Sequence, residues 1–256
     1  MKIGIIGFGI VGQAIYHGFK KIKHDVVSYD IVDTESSIST VADTDIVFVC
    51  VPTNSDTNGR CDISIVDKVV EHLSVIKYLG VVAIKSTVIP GTSDQLTAKY
   101  PDLRICTVPE FLRQDHAQND FFNDHDVLVV GTHDHTIANV VIEAHGAIPK
   151  TVCVVSPTEA EVIKYFNNVH NAAEVVFANA MNEMCEKLGA DYQNVFRAIS
   201  NRSNINASHL KCNDQYRGFG GGCLPKDTLA WKQLAQDIGV NVEIFASICN
   251  DNRRYK

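Results

Sequence analysis

Short apolar runs alternate with amphipathic stretches through the first half of the chain. The apolar runs are rich in Val and Ile and predict strands at Lys2–Ile6, Asp25–Tyr29, Asp45–Val51, Val81–Lys85, Arg104–Val108, Val127–Gly131 and Val152–Val155. Stretches with helical periodicity lie between them at Gly12–Lys23, Ile63–Ile76, Thr92–Lys99 and Thr136–His145. Strands that alternate with helices of this length predict an α/β fold with a Rossmann-type, doubly wound, mostly parallel sheet.

The pattern changes after Pro157. Long helical periodicity predicts helices at Thr158–Leu188, Asp191–Ile199, Asp227–Asp237 and Val242–Arg253, with a polar, glycine-rich stretch from Asn201 to Cys223. We therefore expect a Rossmann-type domain over residues 1–156 and a smaller all-helical domain over 157–256. The segment Tyr165–Asn182 is largely apolar around its circumference, which predicts a buried helix.

Composition narrows the functional classes. The net charge is −7 and there is no basic stripe, which argues against nucleic-acid binding. Apolar runs are too short to span a bilayer, and no secretory signal is recognisable, so we expect a cytoplasmic protein without a membrane partner. None of the eight cysteines forms a CxxC pair, so we expect no metal. Cys50, Cys153, Cys185 and Cys249 lie in apolar or helical patterns and are interpreted as small core residues.

A GxGxxG motif of Gly7, Gly9 and Gly12 follows the first strand and opens the first helix. In that context the glycines permit a tight turn, close approach of a pyrophosphate and close helix packing. The backbone amides of the first helical turn, at Ile10 and Val11, are then available to phosphate oxygens.

The second strand leads into Asp30, eighteen positions after Gly12. An acidic side chain there accepts hydrogen bonds from ribose hydroxyls and repels a 2′-phosphate, which favours NAD over NADP. The alternative is a structural glycine turn with a solvated aspartate.

Two further groups of polar residues lie in the second half. Glu161, Lys164, Asn168 and Asn171 share one face of the long helix, where a ligand is one source of the partners that buried polar groups need. A solvated stripe is the alternative.

The block from Gly218 to Thr228 combines four glycines with Cys223, Pro225, Lys226 and Asp227. A thiol beside helix amides and a lysine is a candidate nucleophile, and Asp227 is a candidate general base. An inert turn cysteine is the alternative.

Several motifs in register from Met1 almost to the C-terminus resemble those of the UDP-glucose/GDP-mannose dehydrogenases. They are the GxGxxG opening, VPT at 51–53, STVIPGT at 86–92, PEFLR at 109–113, AEVIKY at 160–165 with Asn168, and the Gly-Gly-x-Cys-x-Pro-Lys-Asp-Thr block. The resemblance implies two successive oxidations of a sugar C6 alcohol to a carboxylate with NAD⁺ as cofactor.

The resemblance also implies roles for individual residues. Cys223 attacks the aldehyde, Asp227 and Thr87 take up a proton through a water, and Lys164 and Asn168 stabilise the oxyanion. The implied cofactor site comprises Gly7, Gly9, Ile10, Val11, Gly12, Asp30, Val51, Pro52, Thr53, Ser86, Thr87 and Glu110. The implied substrate contacts are Phe111, Leu112, Lys164, Asn168, Phe219, Gly220 and Gly221. Glu110 would also assist proton transfer or hydrolysis.

The chain departs from the family pattern in two places. Gln114 stands where the family often has a second glutamate, which puts the hydrolytic step in doubt. The chain also stops at Lys256, whereas family members continue into a domain that binds the substrate nucleotide. Either the chain is a fragment, or it is a naturally short form that acts on a smaller substrate or works as a homodimer or with a partner chain that supplies that domain.

Three alternatives remain open. The Lys226–Thr228 segment favours UDP-glucose as the substrate, with GDP-mannose close behind. A β-hydroxyacid-type dehydrogenase performs a single oxidation and needs no cysteine, so Cys223 argues against it. An inactive truncated homologue that only binds NAD is the third hypothesis, and the intact candidate catalytic residues argue against it.

Overall fold

A computed structural model describes residues 1–33 and 37–255. Within them lie seven strands: β1 Lys2–Ile6, β2 Asp25–Tyr29, β3 Ile46–Val49, β4 Val81–Ile84, β5 Arg104–Thr107, β6 Val127–Gly131 and β7 Thr151–Val155. The same residues contain nine α-helices: α1 Ile10–Lys21, α2 Ser64–Val75, α3 Thr92–Lys99, α4 Ala117–Phe122, α5 His135–His145, α6 Pro157–Leu188, α7 Tyr192–Ile199, α8 Leu224–Asp237 and α9 Ile244–Arg254.

The strands form one sheet in the order β2-β1-β3-β4-β5-β6-β7. Every neighbouring pair is parallel except β5 and β6, which meet in an antiparallel pairing at Thr107 and Gly131. The predicted α/β, mostly parallel fold is therefore confirmed. The strand order reverses direction between β1 and β3, and ligands of such sheets bind at the carboxyl ends of the strands beside this switch point.

Apolar side chains cover both faces of the sheet. In β1, Ile3 and Ile5 contribute to one core cluster and Ile6 to the other. The first cluster takes side chains from α1 and α5, and the second takes them from α2 and α3. Because β3 and β4 are buried on both faces, their sequences are continuously apolar rather than alternating.

Of the four cysteines expected in the core, Cys185 is buried and Cys50 packs against a core cluster, but Cys153 and Cys249 are only half-buried. β7 is the last strand of the sheet, and its residues are half-buried or exposed, with Val152 39% and Val154 41% exposed. An edge strand has a neighbour on one side only, so an apolar sequence there does not imply burial.

The chain divides into two compact units. The sheet unit comprises Met1–Asn54 and Asp62–Lys164, and the helical unit comprises Ser55–Cys61 and Tyr165–Lys256, each as far as it is described. The division falls inside α6, whereas the sequence placed the boundary at residue 156, directly after the end of β7. The segment 55–61 belongs to the helical unit through Arg60, whose guanidinium pairs with Asp237 at 2.9 Å.

Helices α6 to α9 form the helical unit around two apolar clusters. Phe219, Ile248 and Tyr255 belong to one of them, and Tyr192 and Leu210 belong to the other. Helix α8 begins at Leu224, three residues before the predicted start at Asp227, because Pro225 fits the first turn of a helix.

The prediction that the helix is buried all round over Tyr165–Asn182 is wrong for one side of α6. Phe166 is 70% and Phe177 59% exposed, and Met184 and Leu188 continue the exposed apolar residues towards the end of the helix. The scarcity of charged residues in this helix therefore did not predict which of its faces are buried.

Two features are absent from the described part of the chain. No helix there has both the length and the apolar character required to cross a membrane. No group of three or more His, Cys, Asp or Glu side chains within 1–33 and 37–255 is arranged to hold a metal ion.

A buried histidine lies in the aromatic core of the sheet unit. His145 is fully buried, its Nδ1 lies 2.8 Å from the Val141 carbonyl oxygen, and its Nε2 has no hydrogen-bond partner among the described residues. Burial lowers its pKa well below the ordinary value, and burial with repulsion from Lys85 lowers the pKa of nearby His125 to about 4. Both rings are therefore neutral in the folded protein near pH 6.

We expect the free energy of unfolding to fall as the pH drops from 6.5 towards 4. The unfolded chain protonates both histidines near pH 6.5, whereas the folded state resists protonation, so acid favours unfolding. His125 alone should contribute about 2 kcal/mol of this loss. Urea denaturation at several pH values measures it. His145→Phe keeps an aromatic ring against Phe19 and Phe121 and should flatten the pH dependence; an unchanged slope would contradict the assignment.

Candidate functional site

The glycine-rich turn of the sheet unit has a shape that only glycine permits. Gly7 has φ +92°, and a Cβ there would lie 2.6 Å from the Cys50 carbonyl oxygen. A Cβ at Gly12 would collide with the Gly7 carbonyl, whereas one at Gly9 would meet nothing within 4 Å. The turn is thus compact on its inner side and open at Gly9, as close approach of a dinucleotide requires.

The N-terminus of α1 offers unpaired amides to an anion. The helix begins at Ile10, its N-cap Gly9 provides no side-chain hydrogen bond, and its first turn holds no acidic residue. The first amides of a helix have no intrahelical acceptor. The amides of Ile10, Val11 and Gly12 can therefore donate hydrogen bonds to the oxygens of a pyrophosphate.

Asp30 joins the end of β2 to the glycine-rich turn. Its carboxylate accepts hydrogen bonds from the Phe8 amide at 2.5 Å and from the Val32 amide at 3.1 Å. Each carboxylate oxygen can accept a further hydrogen bond. The position therefore suits the ribose-binding role, and it adds a structural role that the sequence did not reveal.

Two motifs that are far apart in sequence meet after β3 and β4. The Thr53 hydroxyl donates to the Thr87 carbonyl oxygen at 2.7 Å, and the Ser86 hydroxyl donates to the Val51 carbonyl oxygen at 2.7 Å. These residues, with Pro52, follow the carboxyl ends of neighbouring parallel strands. They lie at the same edge of the sheet as the glycine-rich turn after β1.

Lys164 is held by Glu110 in the sheet unit. Its ammonium donates to the Glu110 carbonyl oxygen at 2.6 Å and to the carboxylate at 3.0 Å, and the side chains are only 6% and 10% exposed. Burial raises the pKa of Glu110, but the Lys164 charge and hydrogen bonds outweigh burial and leave the pKa below its ordinary value. Leu112 donates its amide to the same carboxylate at 2.7 Å, and the Phe111 ring centroid lies 5.7 Å from the ammonium nitrogen.

A second buried lysine near Glu110 was missed by sequence reasoning. Lys85 is 4% exposed, and its ammonium reaches the Val108 carbonyl oxygen at 3.4 Å. Burial lowers its pKa, against the attraction of Cys50 and Glu110. The available signal was a single charged residue at the end of the apolar run 81–85.

The polar stripe suggested that a ligand supplies the hydrogen-bond partners of Glu161, but amides of the protein supply them. It is 1% exposed, and its carboxylate accepts the amides of Gly91 at 2.6 Å and Ser93 at 2.8 Å, at the N-terminus of α3. Burial raises the pKa of this carboxyl group more than these hydrogen bonds lower it. The first turns of α6 approach the sheet closely, because a Cβ at Gly131 would lie 2.5 Å from the Ala160 Cβ.

The helical unit holds a second polar cluster. Asp227 is 1% exposed and accepts a hydrogen bond from the Asn168 side-chain amide at 2.6 Å. Its other carboxylate oxygen accepts from the Lys226 ammonium at 2.6 Å. The structure thus brings together Asn168, Lys226 and Asp227, and the charge of the buried aspartate is paired.

Cys223 is the N-cap residue of α8 and is exposed. The amide of Asp227 donates to its carbonyl oxygen at 3.0 Å. Upstream, Phe219 is 5% exposed, whereas Gly220 to Gly222 are exposed. Burial raises the pKa of Cys50 and of Cys106 to about 12, so these thiols are poor nucleophiles compared with an exposed one.

Two family models match the chain, and each match lies largely within one of the two units. A family model described as the NAD binding domain of the UDP-glucose/GDP-mannose dehydrogenase family matches residues 32–148, and one described as its central domain matches residues 158–254. The UDP-glucose 6-dehydrogenase of Rhizobium meliloti (strain 1021) is 30% identical over 301 residues, which covers 99% of this chain and 68% of that protein. UDP-glucose 6-dehydrogenase YwqF of Bacillus subtilis (strain 168) is 30% identical over 220 residues, covering 83% of this chain and 49% of that protein.

A solved structure gives the same result. The UDP-glucose dehydrogenase of the hyperthermophilic archaeon Pyrobaculum islandicum superposes with a TM-score of 0.90 at 27% identity, over 99% of this chain and 68% of that one. The chain therefore spans between about half and two thirds of the length of these relatives. Two domain models in the expected order and a relative matched along nearly the whole chain agree: the chain belongs to the UDP-glucose/GDP-mannose dehydrogenase family, and its sheet unit carries that family's NAD-binding domain.

Proposed function

We propose that the protein oxidises the C6 alcohol of a nucleotide sugar to a carboxylate in two NAD⁺-dependent steps. The observation that carries the proposal is the exposed Cys223 at the N-cap of α8, four residues before the buried and charge-paired Asp227. A single alcohol oxidation needs no nucleophile, whereas oxidation of an aldehyde to an acid requires an added oxygen or sulfur atom at the carbonyl carbon. An exposed thiol beside a base meets that requirement.

The cofactor is held by residues of the sheet unit. The open glycine turn and the uncapped α1 receive the pyrophosphate, and Asp30 receives the ribose. Bound NAD⁺ supplies the hydride acceptor in both oxidations. The residues proposed for the remainder of the cofactor site are Val51, Pro52, Thr53, Ser86, Thr87 and Glu110.

The first oxidation requires a base for the alcohol proton. Asp227 takes this role, with Thr87 helping to hold the intervening water. The Asn168 and Lys226 hydrogen bonds fix the orientation of the Asp227 side chain. Lys164 and Asn168 donate hydrogen bonds to the substrate oxygen as negative charge develops on it.

The second oxidation takes place on Cys223. Its thiolate adds to the aldehyde carbon to give a thiohemiacetal, whose oxyanion Lys164 and Asn168 stabilise. Loss of hydride then gives a thioester, and water hydrolyses it to release the carboxylate and regenerate the thiol. Glu110 assists the hydrolytic water, while Gln114 can hold a water but cannot accept its proton.

UDP-glucose is the proposed substrate, because both curated relatives described above are named UDP-glucose 6-dehydrogenases. The substrate residues are Phe111, Leu112, Lys164, Asn168, Phe219, Gly220 and Gly221. GDP-mannose is the second candidate, since the family description includes its dehydrogenases. The thiol mechanism requires reduced cysteine and therefore supports a cytoplasmic location.

We further propose that the protein functions as a homodimer or with a partner chain. The exposed apolar residues of α6 support this part of the proposal, because Phe166, Phe177 and Leu188 are 59–75% exposed. Large apolar side chains that recur along one helix are typical of interaction surfaces.

An NADH-release assay on the purified chain tests the proposed function. With UDP-glucose, we expect two NADH for each sugar consumed and one uronate product, with slower turnover of GDP-mannose. One NADH per substrate would instead favour a β-hydroxyacid-type dehydrogenase. Absence of turnover with a panel of UDP- and GDP-sugars, despite measurable NAD binding, would support an inactive homologue.

A further inference from the structure

Two buried asparagines hold the beginning of the glycine-rich segment that leads to Cys223. Asn252 of α9 is 5% exposed; its side-chain oxygen accepts the Phe219 amide at 2.6 Å, and its side-chain NH₂ donates to the Phe219 carbonyl oxygen at 3.0 Å. Asn179 of α6 is fully buried, and its side-chain oxygen accepts the Gly218 amide at 3.3 Å. Phe219 is thus bound through both backbone polar groups by one side chain.

The backbone around Phe219 is shaped to fit this contact. Gly218 has φ +63°, and a Cβ there would lie 2.8 Å from the Asn252 side-chain oxygen and 3.2 Å from the Tyr255 Cβ. The Phe219 ring packs in the same cluster as Ile248 and Tyr255 of the C-terminal helix and its end. Any side chain at 218 would therefore displace the asparagine.

The three glycines after Phe219 do not restrict their own backbone conformation. A Cβ added at Gly220 or at Gly222 would meet nothing within 4 Å, and Gly221 has φ +75°. Glycine has the largest conformational freedom to lose, so three in succession restrain the backbone between Phe219 and the start of α8 little unless both ends are fixed. The downstream end is fixed by Asp227, which is 1% exposed.

We propose that Asn252 is a positioning residue for the Cys223 thiol. By clamping the backbone of Phe219, it fixes the upstream end of the span 220–223, and the paired Asp227 fixes the downstream end. The proposal rests on the proposed role of Cys223 as the nucleophile. Only an amide side chain provides both a donor and an acceptor in this geometry: aspartate lacks the donor, and alanine lacks both.

Two variants test the clamp. Asn252→Ala removes both hydrogen bonds without adding charge, and Asn252→Asp keeps the acceptor but directs a second oxygen at the Phe219 carbonyl. Asn250→Asp is the matched control, because Asn250 is an exposed asparagine on the same helix. Ile248→Val is the stability control, because it loosens the same cluster and leaves the Phe219 hydrogen bonds intact.

We expect hydrogen exchange in the peptide 218–223 to become at least about 10-fold faster in both Asn252 variants, because Phe219 loses its amide acceptor or its anchor. Alkylation of Cys223 by iodoacetamide, followed by mass spectrometry, should slow by about 3-fold or more, because a thiol held at a helix N-terminus reacts faster than a mobile one. The NAD dissociation constant should not change. Asn250→Asp should match the wild type in each measurement.

The stability control separates positioning from general loosening. If Ile248→Val lowers the melting temperature as much as Asn252→Ala and slows alkylation equally, Asn252 has no specific positioning role. Unchanged exchange in 218–223 would overturn the clamp itself. If both clamp effects occur but the wild type produces no uronate, the clamp stands and the proposed function fails. Lowering the pH should bring the exchange rate of Asn252→Asp back to that of the wild type measured at the same pH, since the protonated acid regains a donor.

Discussion

Replacement of Cys223 by serine should abolish uronate formation while leaving the first oxidation possible. The serine hydroxyl is a much weaker nucleophile than the cysteine thiolate, so we expect the second step to slow by at least about 10³-fold. The product should be the aldehyde or its hydrate, with at most one NADH per sugar. Quantifying NADH and separating the sugar products by mass spectrometry measures both. NAD affinity should be unchanged, because the proposed cofactor contacts belong to the sheet unit.

Cys249→Ser is the matched control for this experiment. Cys249 lies on α9, is half-buried, and has a pKa that burial raises, so its removal should not alter turnover. Uronate formation by Cys223→Ser at the wild-type rate would remove the thiol from the mechanism.

Replacement of Lys164 by methionine should lower both activity and stability. The variant leaves the Glu110 carboxylate buried without its main counter-charge, which typically costs about 3–5 kcal/mol of unfolding free energy. If Lys164 has the proposed role, loss of this oxyanion donor should reduce kcat by about 10²-fold or more. Urea denaturation and steady-state kinetics measure the two effects. Lys150→Met removes a lysine from the exposed pair with Asp126 and should change neither.

The pH dependence gives the same variant a second signature. In the wild type the Glu110 pKa is lowered, so its contribution to stability is present above pH 4.5 and is lost as the pH falls below that value. Without Lys164 the two largest lowering contributions are lost, so the Glu110 pKa should rise relative to the wild type, and its part of the acid-induced loss of stability should shrink. The double variant with Glu110→Gln should recover most of the stability. If the single and double variants are equally stable, the two residues are not coupled.

The sheet was predictable from sequence because local patterns encode it. Apolar runs of four to five residues, such as those of β3 and β4, are typical of strands buried on both faces, and the motif at Gly7 marks the first turn. Even so, the pattern did not predict the exposure of β7, because the order of strands in the sheet decides which strand lies at an edge.

The candidate residues were also identifiable from sequence, but not all their partners were. Helical spacing placed Glu161, Lys164 and Asn168 on one face, and it did not reveal that protein groups satisfy each of them. Those partners come from segments 54 to 70 residues away, which no local pattern encodes. Lys85 and Asn252 were missed for the same reason: their importance comes from burial and from contacts made in the folded chain.

The carboxylate of Glu161 has a consequence for where phosphates dock. Helices α1 and α3 both begin after parallel strands at the same edge of the sheet, and the positive end of a helix attracts any anion. The chain fills the start of α3 with its own carboxylate and leaves the start of α1 uncapped. A carboxylate of the chain itself therefore occupies the start of α3, whereas the start of α1 stays open to a phosphate.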